Sequence, residues 1–135
     1  MAKVPRKTSI YEVEPVPDKY VIPFAPELVQ FLESGEKVET YRYGDKYEYL
    51  EVGDLVVIQN NKTKEGVFNA NIVEKKKTTF ASLPLTSSGH EGYESKDQQR
   101  AVFSGYYAYL GRPIENDDPF LIFTFRRKEA ISEEK

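Results

Sequence analysis

Two strand-like segments lie next to each other between residues 55 and 80, and they limit the possible folds more than any other pattern in the chain. Residues 55–59, LVVIQ, form the strongest strand pattern in the chain. The polar turn cluster NNKTKEG follows, and VFNANIVEKKKTTF then supplies a long second strand. Two strand patterns joined by a short turn cluster indicate an antiparallel hairpin. The chain is therefore predicted to contain a sheet with antiparallel neighbours.

Two helix patterns lie on either side of this hairpin in the sequence. The first, APELVQFLES at residues 25–34, has Pro26 at its first position, apolar residues at helical spacing and Gly35 beyond its end. The second begins at Ser95, which forms a capping box with Gln98. Its apolar stripe includes a group of tyrosines that are expected to be mostly core, namely Tyr106, Tyr107 and Tyr109.

The order of elements decides between fold classes. A strand pattern at residues 19–24 precedes the first helix, and an apolar strand at residues 120–126 follows the second. With several antiparallel signals between them, the pattern predicts an α+β fold, a small mixed or antiparallel β-barrel with two flanking helices. The predicted domain spans residues 19–126, with an extended N-terminal arm at residues 1–18 and a charged C-terminal tail at residues 127–135.

Composition excludes several classes of site. The chain has no cysteine and one histidine, His90, which rules out disulfides and cysteine-based metal sites; neither a metal nor a cofactor is expected. A net charge of -3 gives no overall attraction to nucleic acid, so such a role would need a local site. No segment approaches the ~20 apolar residues of a membrane span, so we expect a cytoplasmic protein without a membrane partner. Its oligomeric state stays open.

The stretch SGEKVETYRYG, residues 34–44, is unusually polar for a strand. Strand alternation places Thr40 and Arg42 on one face, and Lys37 lies at the bend after the helix. A hydroxyl, a guanidinium and an ammonium in one place suit an anionic or carbonyl-rich ligand. The alternative is a solvated edge strand whose charges pair with neighbouring glutamates.

The spacing G-x-K-x-x-T-x-R at residues 35–42 resembles the signature of the ASCH domains, a PUA-like β-barrel superfamily. A helix ending in FLESGEK precedes the motif, and a VGDLVVI strand, a HEGYES loop, a helix and an FLIFTF strand follow it. The resemblance covers roughly residues 19–126. It implies a cleft between barrel and helices, lined by Lys37, Thr40 and Arg42, in a fold similar to RNA-binding PUA modules.

One branch of this superfamily resembles small amidohydrolases that act on N-acetylcytidine. The resemblance implies catalytic roles for Lys37, Thr40 and a loop glutamate. The E-G-aromatic run favours Glu91 as that glutamate, whereas counting from His90 favours Glu94. The present chain departs from this branch in its N-terminal arm and its longer Gly- and Tyr-rich loop and helix, which leaves the substrate open.

Three functions are therefore considered. The first is binding of RNA or a modified nucleotide in a cleft formed by the GxKxxTxR motif and the loop around Glu91, with ligand contacts from Arg42, Tyr93 and Glu94. The second is an amidohydrolase for an N-acylated cytidine-like substrate, with the catalytic residues Lys37, Thr40 and Glu91. The third is a non-catalytic protein-interaction domain in which Arg42 is buried against Glu91 to hold the loop.

Two further features are given structural interpretations. A lone histidine in a Ser- and Gly-rich loop is typical of the surface, so His90 is expected there. The acidic run at residues 115–118 lacks the ligand spacing of a calcium loop and is expected to be a solvated hairpin turn. Tyr93, beside the candidate glutamates, is the tyrosine expected to stack on a base.

Overall fold

A computed structural model describes residues 13–128, in which five strands form one mixed sheet. The elements are β1 (Val21–Phe24), α1 (Val29–Ser34), β2 (Glu39–Tyr43), β3 (Leu55–Asn60), β4 (Gly66–Thr79), α2 (Lys96–Tyr106) and β5 (Pro119–Arg127). The strand order is β1-β3-β4-β5-β2, with β1 parallel to β3 and every other pair antiparallel. The predicted α+β class, mixed sheet and two helices are confirmed.

The predicted hairpin is the centre of the sheet. Strand β4 has 14 residues; its residues 66–71 pair with β3, and its residues 70–79 pair with β5. The β-branched run of β3 is buried, with Val56 and Ile58 both 0% exposed. Burial of β-branched residues on a pleated surface is what stabilises such a strand in the interior of a sheet.

The sheet of the predicted barrel is not closed, because the two edge strands do not pair with each other within residues 13–128. Among the described strands, β1 pairs only with β3, and β2 pairs only with β5. Pro23, in the middle of β1, has no N–H and cannot extend a ladder. Instead, the Arg42 side chain on β2 crosses the gap, and its Nη2 donates to the Pro23 carbonyl at 2.8 Å. The open edge of the sheet is thus bridged by a side chain.

The helices begin and end close to the predicted residues. Pro26 opens a 3-10 turn, Pro26–Leu28, that leads directly into α1. Gly35 ends α1 in the left-handed region at φ 85°, which glycine adopts without the steric cost of a side chain. Ser95 caps α2, and its side chain accepts from the Gln98 backbone N–H at 3.0 Å.

The interior contains two clusters of apolar side chains. One packs α1 against the strands and includes Phe24, Leu32, Ile58, Phe68 and Phe125. The other packs α2 against β2, β5 and the segment after β4, and includes Tyr41, Phe80, Phe103 and Phe120. Phe103 and Phe120 lie 5.6 Å apart, a ring separation worth about 0.5–1.5 kcal/mol beyond area burial.

The chain on either side of the predicted domain also contacts the sheet. The Asn69 side chain exchanges two hydrogen bonds with the backbone of Glu14, at 2.6 and 2.9 Å. The Lys128 N–H donates to the Asn69 carbonyl at 2.8 Å. The rest of the predicted arm and tail, residues 1–12 and 129–135, lies outside the described residues. Within residues 13–128, no helix has the length and apolar character needed to cross a membrane.

Candidate ligand-binding site

A cavity of about 300 Å³ opens between the two edge strands of the sheet. Its apolar walls come from both core clusters, since Phe24 belongs to the first and Phe103 to the second. Its polar side chains come from four segments and are Lys37, Thr40, Arg42, Lys46, Asn61, His90 and Glu91. The structure therefore brings the motif residues together with the loop that follows β4.

Lys37 is a buried cation held at both ends. Its backbone N–H donates to the Phe31 carbonyl at 3.0 Å, which fixes it to the end of α1. Its side chain is 4% exposed, and Nζ donates to Glu91 Oε1 at 2.7 Å. Burial lowers the pKa of Lys37 below its ordinary value, and the Glu91 carboxylate partly offsets this effect. The ammonium is therefore poised to lose its proton more easily than a surface lysine.

Glu91 is brought to Lys37 by a close approach of the loop to β2. The Gly89 carbonyl accepts from the backbone N–H groups of Val38 and Glu39, at 2.8 and 3.1 Å. A Cβ at Gly89 would lie 2.4 Å from Val38 Cγ2, well inside contact distance. The position therefore requires glycine, a requirement that the sequence pattern did not reveal.

The two candidate glutamates are placed very differently. Burial opposes ionisation of Glu91, but Lys37 and His90 together hold the pKa of its carboxyl below the ordinary value. Glu94 is exposed, does not line the cavity, and its backbone N–H donates to Gln98 Oε1 at 2.6 Å. The suggested burial of Arg42 against Glu91 is wrong, because the ion pair of Glu91 is with Lys37.

Thr40 and Arg42 lie side by side on one face of β2, as strand alternation predicts. Arg42 Nε donates to Thr40 Oγ1 at 2.8 Å, and the guanidinium lies 4.7 Å from the Phe24 ring centre. Thr40 is 4% exposed, as is Lys37. Thr40 is buried although β2 is an edge strand, and Lys37 is buried just before the strand begins, so the interpretation as a solvated strand is wrong for these two residues.

His90 is buried, which corrects the expectation of a surface residue. Its side chain is 3% exposed, and its ring stacks on Tyr41 with centres 3.8 Å apart. Nδ1 lies 2.9 Å from the Glu91 carbonyl oxygen and 3.3 Å from Glu91 Oε1. Both neighbours are acceptors, so Nδ1 carries the proton. Burial and the nearby Lys37 lower the pKa of His90 to about 4.

The tyrosines are distributed differently from the sequence prediction. Tyr93, the expected stacking residue, is only 8% exposed and meets Phe103 edge-on at 5.8 Å. Tyr106 and Tyr109, expected in the core, are 53% and 75% exposed and line the cavity. Tyr106 is the last residue of α2, whose buried residues are Gln99 and Phe103. Tyr109 leaves the helical stripe because a separate 3-10 turn, Ala108–Leu110, follows α2.

The acidic loop is a structural turn. Asp118, 6% exposed, accepts two hydrogen bonds from the Arg112 guanidinium at 2.8 and 2.9 Å. It also accepts from the Glu115 backbone N–H at 2.7 Å. This carboxylate is therefore buried, whereas a fully solvated turn was expected. Within the described part of the chain, no group of three or more acidic or histidine side chains is arranged to hold a metal ion.

Comparison with known proteins identifies the fold through structure. No protein-family model matches the sequence, and no curated protein matches it. An ASCH domain from Lactobacillus crispatus JV V101 superimposes with a TM-score of 0.58 at 20% identity, covering 75% of this chain and 70% of that one. A protein from Enterococcus faecalis V583 gives a TM-score of 0.60 at 16% identity, covering 76% and 67%.

A third solved structure extends the agreement. A variant of the ASCH protein from Zymomonas mobilis matches with a TM-score of 0.52 at 20% identity, covering 82% of this chain and 70% of that one. TM-scores of 0.52 to 0.60 at 16–20% identity show that the backbone arrangement is shared. The chain therefore has the fold of an ASCH domain.

Proposed function

We propose that the chain binds RNA or a modified nucleotide and takes one nucleoside unit into the cavity beside β2. The observation that carries the proposal is the buried Lys37–Glu91 pair, which opens onto a cavity of about 300 Å³ with aromatic walls. That volume lies at the lower end of the range for small-molecule sites. It matches a single nucleoside, and a longer RNA would have to run past the opening.

The aromatic side chains support a planar ligand. Tyr106 and Tyr109 expose large parts of their rings where they line the cavity. Stacking of a base on an aromatic side chain contributes about 1–3 kcal/mol and tolerates any base, because every base has a π face. Lys46, which also lines the cavity, is placed to attract a phosphate.

The polar groups complement a base edge. Lys37 offers donors and Glu91 offers acceptors. Thr40 Oγ1 accepts from Arg42 Nε, which leaves the Thr40 proton free to be donated to a ligand. Two of the Arg42 donor groups are engaged by Thr40 and Pro23, so its main effect on the ligand comes through its charge and through holding Thr40.

Calorimetric titration tests this function. Wild-type protein would be titrated with the four nucleosides, their 5′-monophosphates and short single-stranded RNAs. Lys37→Ala should weaken binding at least tenfold, because it removes the buried donor and leaves Glu91 unpaired. Lys77→Ala, at a side chain 71% exposed and outside the cavity, is the matched control and should bind as the wild type does. Equal affinity in the Lys37 and Lys77 variants would refute the proposed site.

A second candidate function is hydrolysis of an N-acylated cytidine-like amide, favoured by the same ion pair. A water adds to the amide carbonyl carbon while Glu91 accepts its proton, and the Lys37 ammonium stabilises the oxyanion. The C–N bond then breaks, and the amine leaves with the proton returned by Glu91. The products are a carboxylic acid and the free amine. Thr40 donates to the carbonyl or leaving group from its place beside Arg42.

An absorbance assay with N-acetylcytidine tests this chemistry. Glu91→Gln keeps the size of the side chain but removes the base, and should lower turnover by at least a hundredfold. Glu94→Gln changes a glutamate three positions away that does not line the cavity, and should leave turnover unchanged. Absence of wild-type turnover would exclude hydrolysis of this substrate and leave the binding function to the calorimetric test.

A further inference from the structure

His90 presents an unused hydrogen-bonding atom at the cavity. Its Nδ1 is engaged by the carbonyl of Glu91, whereas Nε2 has no hydrogen-bond partner among residues 13–128. Nε2 is also not fully buried. Within residues 13–128, Tyr93 Oη is the only side-chain nitrogen or oxygen that is both fully buried and without a hydrogen-bond partner. His90 lines the cavity. Nε2 therefore has access to the open volume.

The chemical character of this atom follows from its ring. With the proton held on Nδ1 by two acceptor oxygens, Nε2 carries a lone pair and accepts a hydrogen bond. Stacking on Tyr41 at 3.8 Å keeps the ring from turning over. Burial and the Lys37 charge lower the pKa of His90, so the ring stays neutral at pH 7 and keeps that lone pair.

Lys37 Nζ as a donor and His90 Nε2 as an acceptor define which ligand groups fit beside Glu91. Glu91 Oε1 contacts both Lys37 Nζ, at 2.7 Å, and His90 Nδ1, at 3.3 Å. A cationic donor and a neutral acceptor thus flank one carboxylate. A ligand edge that fits them has an acceptor facing Lys37 and an N–H facing His90. The exocyclic amine and ring nitrogen of cytosine form such an edge, as do the N–H and carbonyl of a secondary amide.

We propose that His90 determines ligand specificity by accepting a hydrogen bond from an N–H of the bound base or amide. This inference rests on the proposed function, because it names a feature of the nucleoside that enters the cavity.

Binding of three related nucleosides at pH 7.5 tests the proposal. Cytidine has two exocyclic N–H groups, N4-methylcytidine has one, and N4,N4-dimethylcytidine has none. Wild-type protein should bind the first two within a factor of about three and the third about tenfold more weakly. His90→Phe keeps a flat ring for the stack on Tyr41 but lacks Nε2, and should bind all three alike. His90→Gln retains an acceptor and should keep part of the discrimination.

Each alternative outcome has a distinct meaning. Equally weak binding of the monomethyl and dimethyl compounds would show that the cavity discriminates by the size of the N4 substituent, and would overturn the role of His90. Unchanged discrimination in His90→Phe would do the same. Failure of wild-type protein to bind any nucleoside would instead refute the proposed function itself. Because the comparison of the three ligands uses wild-type protein, it stands even if a variant does not fold.

Discussion

Removing either member of the Lys37–Glu91 pair should destabilise the protein by different amounts. The two atoms are 2.7 Å apart, which at an effective dielectric constant of about 20 corresponds to a gross attraction of about 6 kcal/mol. Much of that attraction offsets the cost of taking both charges out of water, and breaking a fully buried pair costs about 3–5 kcal/mol. The side chains differ in exposure, at 4% for Lys37 and 33% for Glu91.

The exposure decides which substitution is worse. Glu91→Gln leaves an ammonium that is almost fully buried and has lost its counter-ion, and we expect a loss of about 2–3 kcal/mol at pH 7. Lys37→Met keeps the apolar stem and leaves a carboxylate that is already a third exposed, so the expected loss is about 1 kcal/mol. The double variant should be more stable than the sum of the two losses implies, by about 1–2 kcal/mol.

Urea unfolding, monitored by circular dichroism, measures these differences in the free energy of unfolding. In Glu91→Gln the pKa of Lys37 falls further, because burial acts without the opposing carboxylate. The folded state then binds fewer protons than the unfolded chain between that lowered pKa and 10.5, so the stability of this variant should rise with pH across that window. A larger loss in Lys37→Met than in Glu91→Gln, or strict additivity of the two losses, would contradict this account of the ion pair.

Three other perturbations have defined outcomes. Gly89→Ala should lower the free energy of unfolding in urea by about 1–3 kcal/mol, because its Cβ would lie 2.4 Å from Cγ2 of the stiff Val38 side chain. Adding Val38→Ala should recover part of this loss. No effect of Gly89→Ala would show that the loop is free to move. Wild-type stability should fall as pH drops from 6.5 to about 4, because the pKa of His90 is lowered in the folded state and the unfolded chain binds the imidazole proton first. His90→Phe should reduce this dependence of stability on pH. An unchanged dependence in that variant would show that other groups cause it. Tyr93→Phe removes a buried hydroxyl without a partner and should leave the melting temperature unchanged or higher; a marked decrease would reveal a partner for that hydroxyl.

Local patterns in the sequence were sufficient to predict the elements and to place Thr40 and Arg42 on one face of β2. The 3.6-residue and two-residue periods, the Pro26 start and the Gly35 end are properties of neighbouring residues, so they could be read without the fold. Strand alternation likewise placed Thr40 and Arg42 on one face, and Arg42 Nε does donate to Thr40 Oγ1. These predictions succeed because each depends on backbone geometry within a few residues.

The contacts that Lys37 and His90 make in the fold could not be predicted from local patterns. Whether Lys37 pairs with Glu91 or Glu94 depends on a loop 54 residues away in sequence from Lys37, and on its approach to β2 through Gly89. His90 has the sequence context of a surface residue, yet that loop folds inward and stacks it on Tyr41.

Closure of the sheet was also decided by tertiary structure. A strand pattern indicates that residues pair, but it does not say whether the first and last strands of a sheet meet. Here Pro23 denies β1 a donor, and Arg42 spans the gap with a side chain. Local sequence patterns were enough to predict the elements, their order and the chemistry of the motif. Which charges are buried together, and where the cavity opens, depend on contacts between residues far apart in the chain, so these features follow from the folded structure.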